Sequence, residues 1–267
     1  MDALPALDGE GVPPYTAHPM NVLILAAGYA TRLYPLTLTR AKPLLEVAGK
    51  PMIDWVLDNL APIPGIERIY VVTNHKFAAD FQTWADAYAQ RQPKLAFTIV
   101  DDGSTSDADK LGAIGDIHFV LNRENLLGDD LLVVAGDNLF SESLEGFAAA
   151  ARGAAAALAV YDVGDLELIK KYNAISTDAD GVITHFEEKP ANPTGTLTGI
   201  ALYYYAKQTL PLFNTYIEEG NNPDQPGRFV QWLHTRQPVR TWQVPGIWFD
   251  IGGKESLEEA DRVFRAL

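Results

Sequence analysis

The strongest constraint on the fold is a rhythm in the first half of the chain, where apolar runs of strand length alternate with segments of helix length. Residues 22–26, "VLILA", lead through a loop to "MIDWVLDNLA", in which Ile53, Val56, Leu57 and Leu60 recur at helical spacing. "RIYVVTN" predicts a second strand, "DFQTWADAYAQR" a helix and "LAFTIVDD" a third strand. "LGAIGDIHFVLN" then reads as a helix with glycine near its start, and "DLLVVAGD" as a buried strand ending at Gly136–Asp137. Such alternation predicts an α/β fold, a Rossmann-like and mostly parallel sheet with helices on both faces. Ligands of such sheets bind beyond the carboxyl ends of the strands, where Gly28, Asp102 and Asp137 fall.

The second half is less regular. "AAAARGAAAALAV" reads as a helix tail followed by an alanine-rich strand. "VITHFEEKP", "TGIALYYYA" and "PVRTWQVPGIWFDIG" are β-like, and "KESLEEADRVFRAL" is an amphipathic terminal helix. Residues 1–19 carry four prolines, two glycines and no periodicity, so they are expected to be a flexible leader outside the fold. Residues 20–267 are expected to form a single domain, with a β-rich insertion in its second half.

Charge and composition exclude several classes of function. With 35 acidic against 21 basic side chains the net charge is −14, which argues against nucleic acid or an anionic membrane as partner. The absence of cysteine removes disulfides, thiolate metal sites and cysteine nucleophiles. The five histidines show no ligand spacing. No apolar run approaches the roughly 18 residues of a membrane-spanning helix, and the N-terminus lacks the basic region of a signal peptide. A soluble, cytoplasmic protein is expected.

A chain this acidic nevertheless places Arg32 and Lys42 just after its first strand, in "NVLILAAGYATRLYPLTLTRAKPLLEVAGKPMIDW", residues 21–55. The dinucleotide fingerprint G-x-G-x-x-G is absent, because Tyr29 and Ala30 follow Gly28. A Walker A loop is absent too: "VAGKP" follows its lysine with proline rather than Ser or Thr. What remains is a strand, a tight glycine-containing turn whose N–H groups can face an anion, and two cations to complement them.

These residues resemble the signature of the sugar-phosphate nucleotidylyltransferases, whose pattern runs G-x-G-T-R-L-x-P-x-T, K-x-L-L-P, K-P-M. The resemblance continues in order through "AGDN" (135–138), "FEEKP" (186–190), "TGIALYY" (198–204) and "WFDIGGKESLEEA" (248–260). It implies a nucleotide-binding core with an inserted β-rich sugar-binding lobe, and a reaction in which a nucleoside triphosphate (NTP) and a sugar 1-phosphate give NDP-sugar and pyrophosphate. By the same resemblance Arg32 and Lys42 are the catalytic cations on the triphosphate. Ala26, Ala27, Gly28, Thr31, Asp102 and Gly112 fall on nucleotide-binding positions. Asn173, Glu188, Lys189, Thr198 and Arg228 fall on the sugar-phosphate side, and Asp137 with Asp250 are the implied ligands of Mg²⁺. No nucleic-acid or membrane partner is implied, and a homo-oligomer stays open.

The departures bear on substrate. Ala30 stands where the family has its second glycine, so that turn must accept a methyl group. Glu46 replaces a proline, and Asn173 and Ala201 replace a glycine and a tyrosine usual beside the sugar. After the third strand the family has a glutamine, where this chain has Asp101 and Asp102; a carboxylate accepts from base N–H groups but cannot donate to a carbonyl. Backbone groups or Ser104 would supply the missing donors. By family weight the substrates are dTTP or UTP with glucose 1-phosphate. Two other readings stay open: a CTP-dependent cytidylyltransferase of a non-sugar phosphate or phosphonate such as phosphocholine, and a non-catalytic regulatory relative. The latter predicts erosion of Arg32, Lys42, Asp137 or Asp250, yet all four are present.

Overall fold

The structure, a computed structural model, describes residues 19–267. All but the last residue of the expected leader therefore lie outside the described residues. Strand β1 (Met20–Leu25) is buried along almost its whole length, and three single 3₁₀ turns follow it at Thr31–Leu33, Leu36–Leu38 and Lys42–Leu44. A two-residue ladder, β2 (Glu46–Val47) with β3 (Lys50–Pro51), leads into α1 (Met52–Leu60). The expected alternation then appears as β4 (Ile66–Thr73), α2 (Ala78–Arg91), β5 (Ala96–Asp101), α3 (Ala113–Arg123) and β6 (Asp130–Ala135). The chain continues through β7 (Asn138–Phe140), α4 (Glu145–Ala151), β8 (Ala156–Asp162), α5 (Leu166–Ile169), β9 (Asn173–Thr177) and β10 (Ile183–Glu188). It ends with β11 (Leu197–Tyr205), α6 (Leu212–Glu218), α7 (Pro226–Leu233), β12 (Val239–Gln243), β13 (Trp248–Asp250) and α8 (Lys254–Phe264).

Seven strands form the central sheet in the order β12-β8-β11-β6-β1-β4-β5. Within it only β11 runs antiparallel to its neighbours β6 and β8. Period-2 alternation gives each face its own core. Val22 and Ile24 of β1 pack with Ile53, Val56 and Leu57 of α1 and Phe81 of α2, whereas Leu23 packs with Ile114 and Ile117 of α3 and Phe229 of α7. A third cluster, which includes Leu33, Val47, Met52, Ile251 and Phe264, seats α8 against the ladder that follows β1.

The β-like stretches of the second half divide between sheets. Strands β8, β11 and β12 complete the main sheet, so the separate insertion is the antiparallel ribbon β9–β10. The alanine-rich stretch divides as expected into α4 and β8. Strands β7 and β13 pair with each other and join chain segments about a hundred residues apart. Since β1, β4, β5, β6 and β8 are parallel and β11 is reversed, the ends of the first five and the start of β11 share one edge. The turn after β1, Asp102, Asp137 and Thr198 lie there.

Candidate active site

The cluster around Asp137 depends on a close approach at Gly136. A methyl group on Gly136 would stand 3.0 Å from Pro43 Cγ and 3.1 Å from Ile24 Cγ2, so Pro43 rides directly on the end of β6. Lys42, one residue earlier, thereby reaches Asp137, with Nζ 2.5 Å from Oδ2 and both side chains mostly enclosed. Asp250 arrives through the β7–β13 pairing, in which it lies opposite Asn138. Asn138 orients both carboxylate-bearing segments: its Nδ2 donates to Asp137 Oδ1 (3.2 Å) and its Oδ1 accepts from Trp248 Nε1 (2.8 Å). Arg32 is exposed on the Thr31–Leu33 turn, its Nη1 3.8 Å from where a side chain on Gly252 would begin.

Burial and the neighbouring Asp137 carboxylate push Asp250 up to about 6, opposed by Lys42 and Arg32. Two carboxylates crowded to this degree are relieved by a hard cation, and an all-oxygen donor pair suits Mg²⁺, which keeps water and phosphate oxygens as its other ligands. Among the described residues no group of three or more His, Cys, Asp or Glu side chains gathers. The protein's share of such a site is therefore these two carboxylates, and they fit the ion.

The turn after β1 is held from three sides. Ala26 N donates to Val72 O (2.9 Å), Asn74 Nδ2 to Ala27 O (3.0 Å), and Thr37 Oγ1 to Ala30 O (2.8 Å). Ala30 has φ +47 and ψ 45, the left-handed conformation that a glycine adopts without strain. Gly28 has open space where a side chain would begin, and Thr31 is exposed. The backbone of this turn is fixed by hydrogen bonds and open to solvent at Gly28 and Thr31.

The sugar-phosphate candidates form a second group. The β9–β10 ladder sets Glu188 opposite Asn173. Glu188 is pushed up by burial, while Lys189 and Arg228 hold it down. Gly227 makes room for it, since a methyl there would come 2.4 Å from Glu188 Oε2. Lys189 is exposed at φ +49, and its N–H donates to Tyr172 O (2.8 Å). Arg228 has a buried Nε that meets no acceptor among the described residues. Asn173 and Thr198 are turned inward: Asn173 bonds both backbone groups of Gly199, at 2.7 and 3.0 Å, and Thr198 Oγ1 donates to Asn173 Oδ1 (3.2 Å). Tyr172 joins this group to the first, with its ring packed on Trp248 and its hydroxyl within the field of Asp250.

A third group surrounds Asp102. Its Oδ1 accepts from Ser104 N and Ser104 Oγ, both at 2.7 Å, and Ser104 Oγ lies 3.5 Å from Tyr29 OH in the β1 turn. Gly112 serves another contact. At φ +80 it lets residues 223–224 approach so closely that a methyl would stand 2.6 Å from Asp224 Cα, and the first N–H groups of α3 bond that segment. Sequence reading missed Asn74, Asn138, Tyr172 and Tyr29 as site builders. Asn138 had a local signal, since it directly follows Asp137; the others act through partners far away in sequence.

The chain matches the Nucleotidyl transferase family over residues 21–265. It is 26% identical over 244 residues to the Bifunctional protein GlmU of Methanocaldococcus jannaschii, covering 91% of this chain but only 54% of that protein, so it spans about half the relative's length. Identity to the UTP–glucose-1-phosphate uridylyltransferase AglF of Haloferax volcanii is 26% over 246 residues, covering 91% of this chain and 96% of AglF. Its fold is similar to that of a UDP-glucose pyrophosphorylase solved with UDP-glucose, with a TM-score of 0.76 at 22% identity and coverage of 93% and 99%. With a match that spans nearly all the described residues, the chain belongs to the Nucleotidyl transferase family.

Proposed function

We propose that this protein transfers a nucleotidyl group from an NTP to a sugar 1-phosphate, releasing pyrophosphate. The observation that carries the reading is the convergence of Arg32 and Lys42 on Asp137 and Asp250 at one sheet edge. In an overall acidic chain, Arg32 and Lys42 bring positive charge to that edge, balanced by the two carboxylates until a divalent ion would add the surplus a triphosphate needs. The sugar phosphate oxygen attacks the α-phosphorus in line and the bond to pyrophosphate breaks, so the protein's task is positioning and charge stabilisation. Arg32 and Lys42 hold the triphosphate, the backbone of 26–31 cradles it, and Lys189 with Arg228 hold the second phosphate while Glu188 accepts from hydroxyl groups. Asp137 and Asp250 would hold Mg²⁺, which supplies further neutralisation of the developing negative charge.

UTP or dTTP with glucose 1-phosphate is the substrate pair proposed, supported by the near full-length match to AglF. The test is pyrophosphate release with the common NTPs crossed against several sugar 1-phosphates and phosphocholine. Turnover with UTP or dTTP and a hexose 1-phosphate is expected. Turnover confined to CTP and phosphocholine would replace this reading, and no turnover with any pair would end it.

A further inference from the structure

We propose that Asp116 is a positioning residue for the nucleotide: its carboxyl keeps a proton, donates it in a hydrogen bond to Asp102, and so locks the 102–104 turn against the β1 cradle. This rests on the nucleotide-binding reading given above.

Asp116 lies on the first turn of α3 and is 6% exposed; Asp102, on the loop after β5, is 8% exposed. The two carboxyls stand within hydrogen-bonding reach, yet no N–H or O–H meets the buried Asp116 Oδ1. Two ionised carboxylates cannot bond each other, so contact at this burial requires one proton between them. Asp102 Oδ1 already accepts from Ser104 N and Oγ, so Asp102 serves as acceptor and the donor hydrogen of the contact falls to Asp116.

The surrounding charges offer no alternative partner. Asp107, Asp109 and Lys110 occupy the same loop, and Lys110 is engaged by Asp107 (3.2 Å) and by Asp224 (3.6 Å) of the segment packed on α3. Asp101 pairs with His75 at 2.6 Å, and Tyr29 faces Ser104. Among the described residues no cation acts on Asp116; burial first, and Asp102 second, push it up to about 8. The chain of contacts Asp116–Asp102–Ser104–Tyr29 therefore ties α3 to the turn that carries Gly28 and Thr31.

Asp116→Asn keeps the size and the donor but never ionises. The first readout is thermal unfolding of the substrate-free protein from pH 5 to 9. The folded carboxyl titrates near 8, above its unfolded value of 3.8. The stability it lends is thus full below its unfolded value and is lost as pH rises through its folded one. Relative to wild type, the Tm of Asp116→Asn should climb with pH across that window and level off above it. Asp102→Asn, as a second variant, should move the levelling point to lower pH.

The second readout is calorimetric binding of the common NTPs with Mg²⁺ at pH 7 and pH 9. If only the protonated acid positions the turn, about one molecule in ten is competent at pH 9, so wild-type affinity falls roughly tenfold. In Asp116→Asn the change should stay within about twofold. A Tm difference that ignores pH, or a wild-type loss of affinity that survives in Asp116→Asn, overturns the proposal. Absence of binding by every triphosphate at both pH values sinks the nucleotide reading instead, and the proposed role of the turn with it.

Discussion

Two pairs of aspartates lie at the same edge of the sheet and meet opposite circumstances. Asp137 and Asp250 are brought together by β6, β7 and β13 with Lys42 in contact and Arg32 nearby. Asp102 and Asp116 are brought together by the loop after β5 and the start of α3, and among the described residues no cation acts on Asp116. Proximity of carboxylates is common to both, so proximity does not decide their chemistry. Counter-charge does: Lys42 and Arg32 offset the first pair, whose oxygens suit a divalent ion, while the second pair shares a proton. In the proposed reading one acts on substrate and the other holds protein.

The largest expected effect separates these roles. Asp137→Asn and Asp250→Asn should each lower kcat by about 10² or more, equivalent to about 2.7 kcal/mol of lost transition-state stabilisation. If both ligate one ion, removing either removes most of its effect, and the double variant should be little worse than the singles. Pyrophosphate release measured with and without a chelator checks this. Additive losses, or full activity in the chelator, would break the shared-ion half of the comparison. Asp116→Asn at pH 7 should leave kcat within a few-fold, and a loss comparable to that of Asp137→Asn would erase the distinction between the pairs.

Glu188 supplies an intermediate case, a partly buried carboxylate with Lys189 and Arg228 beside it. If those cations serve the acceptor phosphate, Lys189→Ala removes a charged contact worth roughly 1.5–3 kcal/mol, or about 10- to 100-fold in acceptor KM, with NTP KM little changed. Equal damage to both KM values would make "EEKP" structural. Gly227→Ala is subtler. Its methyl would meet Glu188 Oε2 at 2.4 Å and Phe186 Cζ at 3.1 Å, so the flexible carboxylate must swing away. A rotamer cost of about 0.5–1.5 kcal/mol predicts a rise in acceptor KM of roughly two- to tenfold. An unchanged KM would mean that Glu188 does not depend on its present pose.

The two pairs were not equally legible in the sequence. Asp137 and Asp250 sit in ordered motif blocks, and the family resemblance those blocks carry marks them; alone, each would read as an ordinary turn. Asp116 sits within "LGAIGDIHFVLN", next to the apolar positions Ile114 and Ile117, and helical spacing does not tell whether a polar residue at the margin of that face is buried. Its partner is supplied by a loop whose course no local pattern encodes. The same limit applies to Asn173, which sequence reading set against the sugar and whose amide the fold commits to Gly199. It also applies to β8, β11 and β12, whose β character was readable but whose membership in the main sheet depends on pairings formed across the fold.

The smallest effect tests whether the two pairs communicate. The turn of residues 26–31 touches both regions: Arg32 follows it into the cation cluster, and Tyr29 reaches Ser104 beside Asp102. Ala30 holds that turn in a left-handed conformation that costs an L-residue about 1–2 kcal/mol. Ala30→Gly removes this strain but adds roughly 0.5–1 kcal/mol of backbone entropy to be lost on folding. The net gain is then about 0–1.5 kcal/mol, a Tm rise of no more than about 3–6 °C for a domain of this size. The bonds from Val72, Asn74 and Thr37 do not involve the methyl group, so they should keep the turn in place and NTP KM within about twofold. A larger change in KM with an unchanged Tm would mean that the strained alanine itself sets the spacing between the pairs. They would then be one device rather than two.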